Sequence, residues 1–84
     1  MYYVYVLKSR KTGDIYIGCT PDLRRRLLVH NAGKSFATKS KVPWELVYYE
    51  AFKNKLDAIT REKMLKYDGR GRGLLRKRIQ RSLG

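Results

Sequence analysis

The chain has 84 residues and carries 20 Lys or Arg against 7 Asp or Glu, a formal net charge of +13. A chain this short buries about 60% of the surface its unfolded form exposes, enough for one core, which excludes a multi-domain enzyme. With 43% hydrophobic residues and seven Tyr it is too apolar for a disordered basic tail. The single cysteine, Cys19, forms no internal disulfide, and with a single histidine it cannot build a Cys/His zinc site. No apolar run approaches the ~20 residues of a membrane span, and the start MYYVYVLKSRK places its charges after its apolar stretch, opposite to a secretory signal. A cytoplasmic protein is expected. The surplus charge calls for a polyanion, most commonly nucleic acid, with acidic lipid or protein as other sources of the same charge.

In chain order, Tyr2 to Lys8 and Asp14 to Gly18 are rich in Tyr, Val and Ile around the turn residues Lys11-Thr12-Gly13-Asp14, which predicts a β-hairpin. Thr20-Pro21-Asp22 supplies an N-cap, a first helical Pro and a first-turn acid for a helix from about Pro21 to Ala32 that Gly33 stops. The basic, polar stretch Lys34 to Lys41 reads as loop, and Trp44 to Phe52 as a third strand. A second helix runs from about Lys55 to Tyr67. The run Gly69-Arg70-Gly71-Arg72-Gly73 reads as a break before a third helix, Leu74 to Leu83, with Leu75, Ile79 and Leu83 on one stripe. The order β-β-α-β-α-α predicts an α+β fold, a small three-stranded antiparallel sheet with helices packed on it.

Side chains alternate along a strand, so register decides which groups meet. A turn centred between Arg10 and Lys11 sets Tyr5 opposite Tyr16; Tyr3, Tyr5, Leu7, Tyr16 and Gly18 then share one face, and Val4, Val6, Ile15 and Ile17 the core face. On the first helix, at about 100° per residue, Leu23 and Leu27 mark the buried stripe, His30 falls on it and Arg26 on its edge, while Arg24 and Arg25 point away. On the second, Glu62 projects from a face shared with Ala58, Ile59 and Leu65, an unusual place for an acid. Leu56, Met64 and Tyr67 form a competing stripe, so the sequence leaves the inward face of this helix open. Glu62 is either an ion-pair partner for one of many basic residues or a metal ligand.

These residues resemble the GIY-YIG nuclease superfamily, in particular its small stand-alone bacterial members. The likeness is carried by Tyr3-Val4-Tyr5, by Tyr16-Ile17-Gly18 ten residues on, by Asp22-Leu23, Arg26 and His30, and by Asn31, Gly33, Lys34, Thr38 and Pro43. It continues through the strand around Leu46-Val47-Tyr48 to Ala58, Glu62, Leu65 and Lys66, with Tyr-Val-Tyr standing in place of Gly-Ile-Tyr. The resemblance implies a single nuclease domain over residues 1–84, with a core at 1–67 and a basic extension at 68–84. It also implies an endonuclease hydrolysing phosphodiester bonds in DNA, in repair or processing of structured DNA. Tyr5, Tyr16, Arg26 and His30 would be catalytic, and Glu62 would hold one divalent ion, Mg2+ or Mn2+. A tyrosine would serve as general base, Tyr5 with Tyr16 orienting the phosphate or the reverse; a phenol with a pKa near ~10 needs nearby cations, Arg26 and the metal ion, to favour its phenolate.

Lys34, Thr38, Lys39 and Lys41 in the loop, with Lys66, Arg70 and Arg72, are the expected nucleic-acid contacts, to phosphate rather than to bases. DNA or RNA is the expected partner of a monomer or weak dimer. The competing reading is a non-catalytic module in which Tyr3, Tyr5 and Tyr16 stack bases on an open sheet face; it uses the rings and the basic surface but has no task for Glu62 or His30.

Overall fold

The computed structural model describes residues 1–67 and 69–84; Asp68, the first residue of the expected extension, lies outside the described residues. Strands β1 (Tyr2–Ser9), β2 (Ile15–Thr20) and β3 (Trp44–Phe52) form one antiparallel sheet in the order β2-β1-β3. Both faces of the central strand are covered, so Val4, Tyr5, Val6 and Leu7 are buried in succession. The hairpin register differs from the expected one. Tyr5 pairs with Gly18 and Leu7 with Tyr16. The connection is longer than a tight two-residue turn: the Ser9 hydroxyl accepts the amides of Lys11 and Thr12 at 3.2 and 3.0 Å, and Gly13 adopts φ +80°. The displacement is two residues, so every side chain keeps its predicted face and only the opposition of the tyrosines changes, from direct to diagonal.

Helix α1 (Leu23–Asn31) starts later than the sequence suggests because its N-cap is Asp22, whose carboxylate accepts the Arg25 amide at 3.1 Å. Thr20, the expected cap, instead accepts the Asp22 amide through its hydroxyl at 3.1 Å. Gly33, at φ +71°, ends the segment as predicted. A short 3-10 turn, Lys39–Lys41, punctuates the basic loop before β3.

Helices α2 (Lys55–Tyr67) and α3 (Gly69–Arg78) cover one face of the sheet, where Val4, Val6 and Ile17 pack with Ala58, Leu65, Leu75 and Ile79. On the other face Tyr5, Leu7 and Trp44 pack with Tyr16, Leu23, Leu27 and Leu46 under α1. The competing stripe of α2 is the outer one: Leu56, Met64 and Tyr67 are exposed. At 100° per residue, Arg61 and Glu62 flank the buried line of Ala58 and Leu65, roughly 60° to one side and roughly 40° to the other. The Arg61 guanidinium chelates Glu50 of β3, Nε to Oε1 at 3.0 Å and Nη2 to Oε2 at 3.0 Å. That anchor fixes the roll of α2 and turns Glu62 toward the opposite edge, β2.

The glycine-arginine run is helical, contrary to the expected break. α3 begins at Gly69, and the interruption falls instead at Ile79, between α3 and the short α4 (Gln80–Leu83). Each interior glycine costs a helix about 0.5–1 kcal/mol, whereas burying Leu75 and Ile79 contributes about 1.5–3 kcal/mol apiece. Gly71 is itself buried. Arg72 Nη1 donates to the Lys66 carbonyl at 3.0 Å, joining α3 to the last turn of α2. Lys8 Nζ likewise donates to the Leu83 carbonyl, tying the chain end to β1. No helix among the described residues is long and apolar enough to cross a membrane.

Candidate active site

Tyr5 lies flat across the neighbouring strand at Gly18. A Cβ on Gly18 would stand 2.3 Å from the Tyr5 hydroxyl oxygen and 2.4 Å from its Cζ, so only glycine leaves room for the ring. From that bed the Tyr5 hydroxyl reaches His30 Nε2 at 2.9 Å, and His30 Nδ1 meets Thr38 Oγ1 at 2.7 Å. His30 and Thr38 are both 0% exposed, so the line runs through the protein interior.

The far end of the line is clamped twice. Trp44 Nε1 donates to the Thr38 carbonyl at 2.9 Å, and Asn31 pairs with the Trp44 backbone, donating from Nδ2 to its carbonyl at 3.0 Å and accepting its amide on Oδ1 at 2.6 Å. Tyr16 packs edge-on against His30 and Trp44, with ring centroids at 5.1 and 6.2 Å. β1, β2, α1, the basic loop and β3 therefore all contribute to a single arrangement.

Charge within this arrangement follows from burial. Loss of water holds His30 below the ordinary histidine range, helped by the Arg26 cation, so the imidazole is neutral at neutral pH. Burial raises the Tyr5 phenol; hydrogen bonding from Arg26 opposes this and does not overcome it. The Arg26 guanidinium is in turn held more firmly charged by Tyr5. In the resting site Tyr5 keeps its proton because burial outweighs the Arg26 cation. The Tyr5 and Thr38 hydroxyls thus hold the two ring nitrogens of His30 from opposite sides.

Glu62 comes from the opposite face of the sheet, around the edge of β2. Its Oε2 is 3.2 Å from Lys66 Nζ, and the same ammonium stands 5.8 Å from the centroid of the Tyr16 ring. The Glu62 charge is felt at Tyr5, which it helps to keep protonated. Among the described residues no three His, Cys, Asp or Glu gather as a metal cage. A lone, half-buried carboxylate is nevertheless a donor set that suits Mg2+ or Mn2+, ions that keep several waters and take further oxygens from a substrate phosphate.

Beside Tyr16 a cleft of about 450 Å3 follows the edge of β2, with Lys41, Lys66, Arg72 and Arg76 in its walls. Its acid, Asp14, is paired with Lys41 at 2.8 Å. Of the expected phosphate contacts, Lys41, Lys66 and Arg72 line this cleft, whereas Lys34, Lys39 and Arg70 are exposed outside its walls. Thr38 is a correction: its side chain is buried against His30 and orients the imidazole rather than facing solvent. Arg26 is half-buried and directed at the tyrosines, while Arg24 and Arg25 are exposed, as helix geometry predicts. Two residues escaped sequence reasoning. Asn31 gives no local sign of its clamp on Trp44, which depends on a contact 13 positions away. Phe36, a lone aromatic among loop lysines, did carry a sign, and it is 85% exposed.

A family model for the GIY-YIG catalytic domain matches residues 1–73. The chain is similar to a UPF0213 protein of Streptococcus pneumoniae, 45% identical over 65 residues, which is 76% of this chain and 65% of that one. A UPF0213 protein of Bacillus pumilus is 44% identical over 62 residues, 73% of this chain and 62% of its own. The chain thus spans just under two thirds of the length of these relatives. Among solved structures, the solution NMR structure of a UPF0213 protein from Bacillus halodurans superimposes with a TM-score of 0.56 at 35% identity, over 89% of this chain and 82% of the other.

Proposed function

The chain belongs to the GIY-YIG family, and from that premise we propose that it is an endonuclease that hydrolyses phosphodiester bonds in DNA with one divalent ion, Mg2+ or Mn2+, held by Glu62. Processing of structured DNA is the matching task, and residues 1–84 act as one catalytic domain. The observation that carries the reading is the buried line Tyr5–His30–Thr38 beside a cationic cleft. A neutral imidazole locked at its far nitrogen and hydrogen-bonded to a protonated phenol is a proton acceptor waiting for a donor.

The residues divide the reaction as follows. As water attacks phosphorus, the Tyr5 oxygen takes the proton of the water and passes its own to His30 Nε2, so no free phenolate has to exist beforehand. Arg26 supplies a fixed positive charge to the Tyr5 oxygen as this happens and to the phosphoryl oxygens nearby. Tyr16, less buried and on the wall of the cleft, donates its hydroxyl to a phosphate oxygen and so aligns the ester. When bound, the divalent ion polarises the phosphate and stabilises the leaving oxygen. The burial of Tyr5, 2% exposed, favours this reading over base stacking, because its ring offers no open face.

Incubating the purified protein with supercoiled and branched DNA tests the reading. Nicking is expected with Mg2+ or Mn2+ and not with chelator, and Glu62→Gln is expected to abolish it while DNA binding stays within a few-fold. Binding itself is expected to weaken steeply with salt, as counterion release requires. A Glu62→Gln protein as active as the parent overturns the assignment of the ligand; no nucleic-acid binding at low salt overturns the reading as a whole.

A further inference from the structure

We propose that Phe36 is a stacking platform for an unpaired nucleobase, which makes the protein prefer nucleic acid with single-stranded character near the cleaved bond. The proposal rests on the nuclease reading above and deepens it by naming the substrate class.

Phe36 is the most exposed of the large hydrophobic side chains among the described residues, at 85%. Exposure of a single apolar residue is unremarkable by itself. Here, however, the backbone that carries the ring is fixed. The Thr38 amide donates to the Ser35 carbonyl at 3.1 Å and the Lys39 amide donates to the same oxygen at 2.9 Å, closing a tight turn around Phe36. Thr38, the next residue but one, is fixed in the interior by His30 and Trp44. Two residues of chain span at most about 7 Å, so the aromatic is presented close to the proton-transfer line by the same segment that orients it.

The surroundings name the occupant. Lys39 Nζ stands 4.9 Å from the centroid of the Phe36 ring and covers one face, leaving the rest of the ring to solvent. Lys34 and Lys39 flank the ring in sequence, and Lys41, at the end of the same segment, lines the cleft beside Tyr16. An apolar protein partner gains little from an aromatic with an ammonium group over one face. A nucleotide matches both parts, its base against the ring and its phosphate against the lysines. Bases inside a duplex have their faces occupied, so only an unpaired or splayed base can use the platform.

The test uses the full chain in chelator, so that no substrate is consumed, with oligonucleotides carrying 2-aminopurine in a single strand, at a fork and within a duplex. Phe36→Ala is expected to weaken binding of the single strand and the fork by about 5- to 100-fold and to leave the duplex within twofold. Phe36→Trp is expected to restore binding, and Phe36→Leu, apolar without a π face, is not. Quenching of the 2-aminopurine by the parent and its loss in Phe36→Ala would report the stack directly. Equal losses on all three substrates, no loss on any, or parental binding by Phe36→Leu each overturn the proposal. These outcomes are separable from failure of the nuclease reading, in which the parent chain neither binds nor nicks nucleic acid. A thermal melt checks that the variants, altered at an exposed position, remain folded.

Discussion

On one face of the sheet Val4, Val6 and Ile17 meet Ala58, Leu65, Leu75 and Ile79, and nothing in that cluster needs a particular partner atom. On the other face the same strands present Tyr5 and Tyr16 to His30, and each polar group has a defined neighbour: Tyr5 on His30, His30 on Thr38, Trp44 on Thr38. Alternation along β1 sends consecutive residues to the two sides, so one strand serves both. The first face can be rebuilt from any apolar residues of the right volume, whereas the second tolerates few changes because direction matters as well as size. Damage to the first should therefore register as lost stability and damage to the second as lost turnover.

The sharpest way to break that contrast is Tyr5→Phe against Leu65→Ala. Tyr5→Phe removes a single oxygen; it is expected to lower single-turnover cleavage by about 10²- to 10⁴-fold while costing about 1–3 kcal/mol in urea denaturation. Leu65→Ala is expected to cost about 2–5 kcal/mol of stability while the molecules that remain folded cleave at the parental rate. Similar profiles for the two variants would show that the faces are not specialised.

Gly18→Ala probes the bed beneath the tyrosine. The new methyl would occupy the place of the Tyr5 hydroxyl, so the ring must leave His30, and cleavage is expected to fall by at least 100-fold with the salt dependence of binding unchanged. Thr38→Val comes next. It keeps the volume but removes the hydroxyl partner of His30 Nδ1, and a loss of about 10- to 100-fold in turnover with parental affinity is expected. A loss of affinity instead would make Thr38 a phosphate contact after all.

The mildest effect concerns pH. Because His30 is held below its ordinary value of ~6.5, the unfolded chain takes up a proton at a higher pH than the folded one. Stability is therefore expected to decline as pH falls below ~6.5 and to level off beneath the folded value, and the acid limb of the cleavage rate should lie on the same lowered value. With one histidine in the chain, its imidazole NMR signal can be followed without assignment, and a midpoint above ~6.5 would contradict the buried neutral state.

What could be read in advance was what local geometry determines. The period of a strand assigns Tyr5, Tyr16 and Gly18 to one face, and the 100° step of a helix separates Arg26 and His30 from Arg24 and Arg25; neither needs knowledge of the rest of the fold. What could not be read depends on distant partners. The hairpin register was set by the Ser9 hydroxyl and the conformation of Gly13, the inward face of α2 by the Arg61–Glu50 pair, and the position of Thr38 by a histidine eight residues earlier. The glycine-arginine run misled for the same reason: its composition disfavours a helix, and burial of Leu75 and Ile79 outweighs that preference.

α3 links the core to the cleft in a single rod. Leu75 and Ile79 hold it in the core, and Arg72 and Arg76 look out from it into the cleft. Any polyanion seated in the cleft therefore grips the same helix that closes the interior, and by mass action it must favour the folded chain. A ligand at 100 times its dissociation constant adds about 2.7 kcal/mol to the unfolding free energy. For a chain of 84 residues whose net charge of +13 works against compaction, a bound polyanion would double as a folding ligand. The protein should melt measurably higher in the presence of DNA than alone, and the increment should shrink as salt is added.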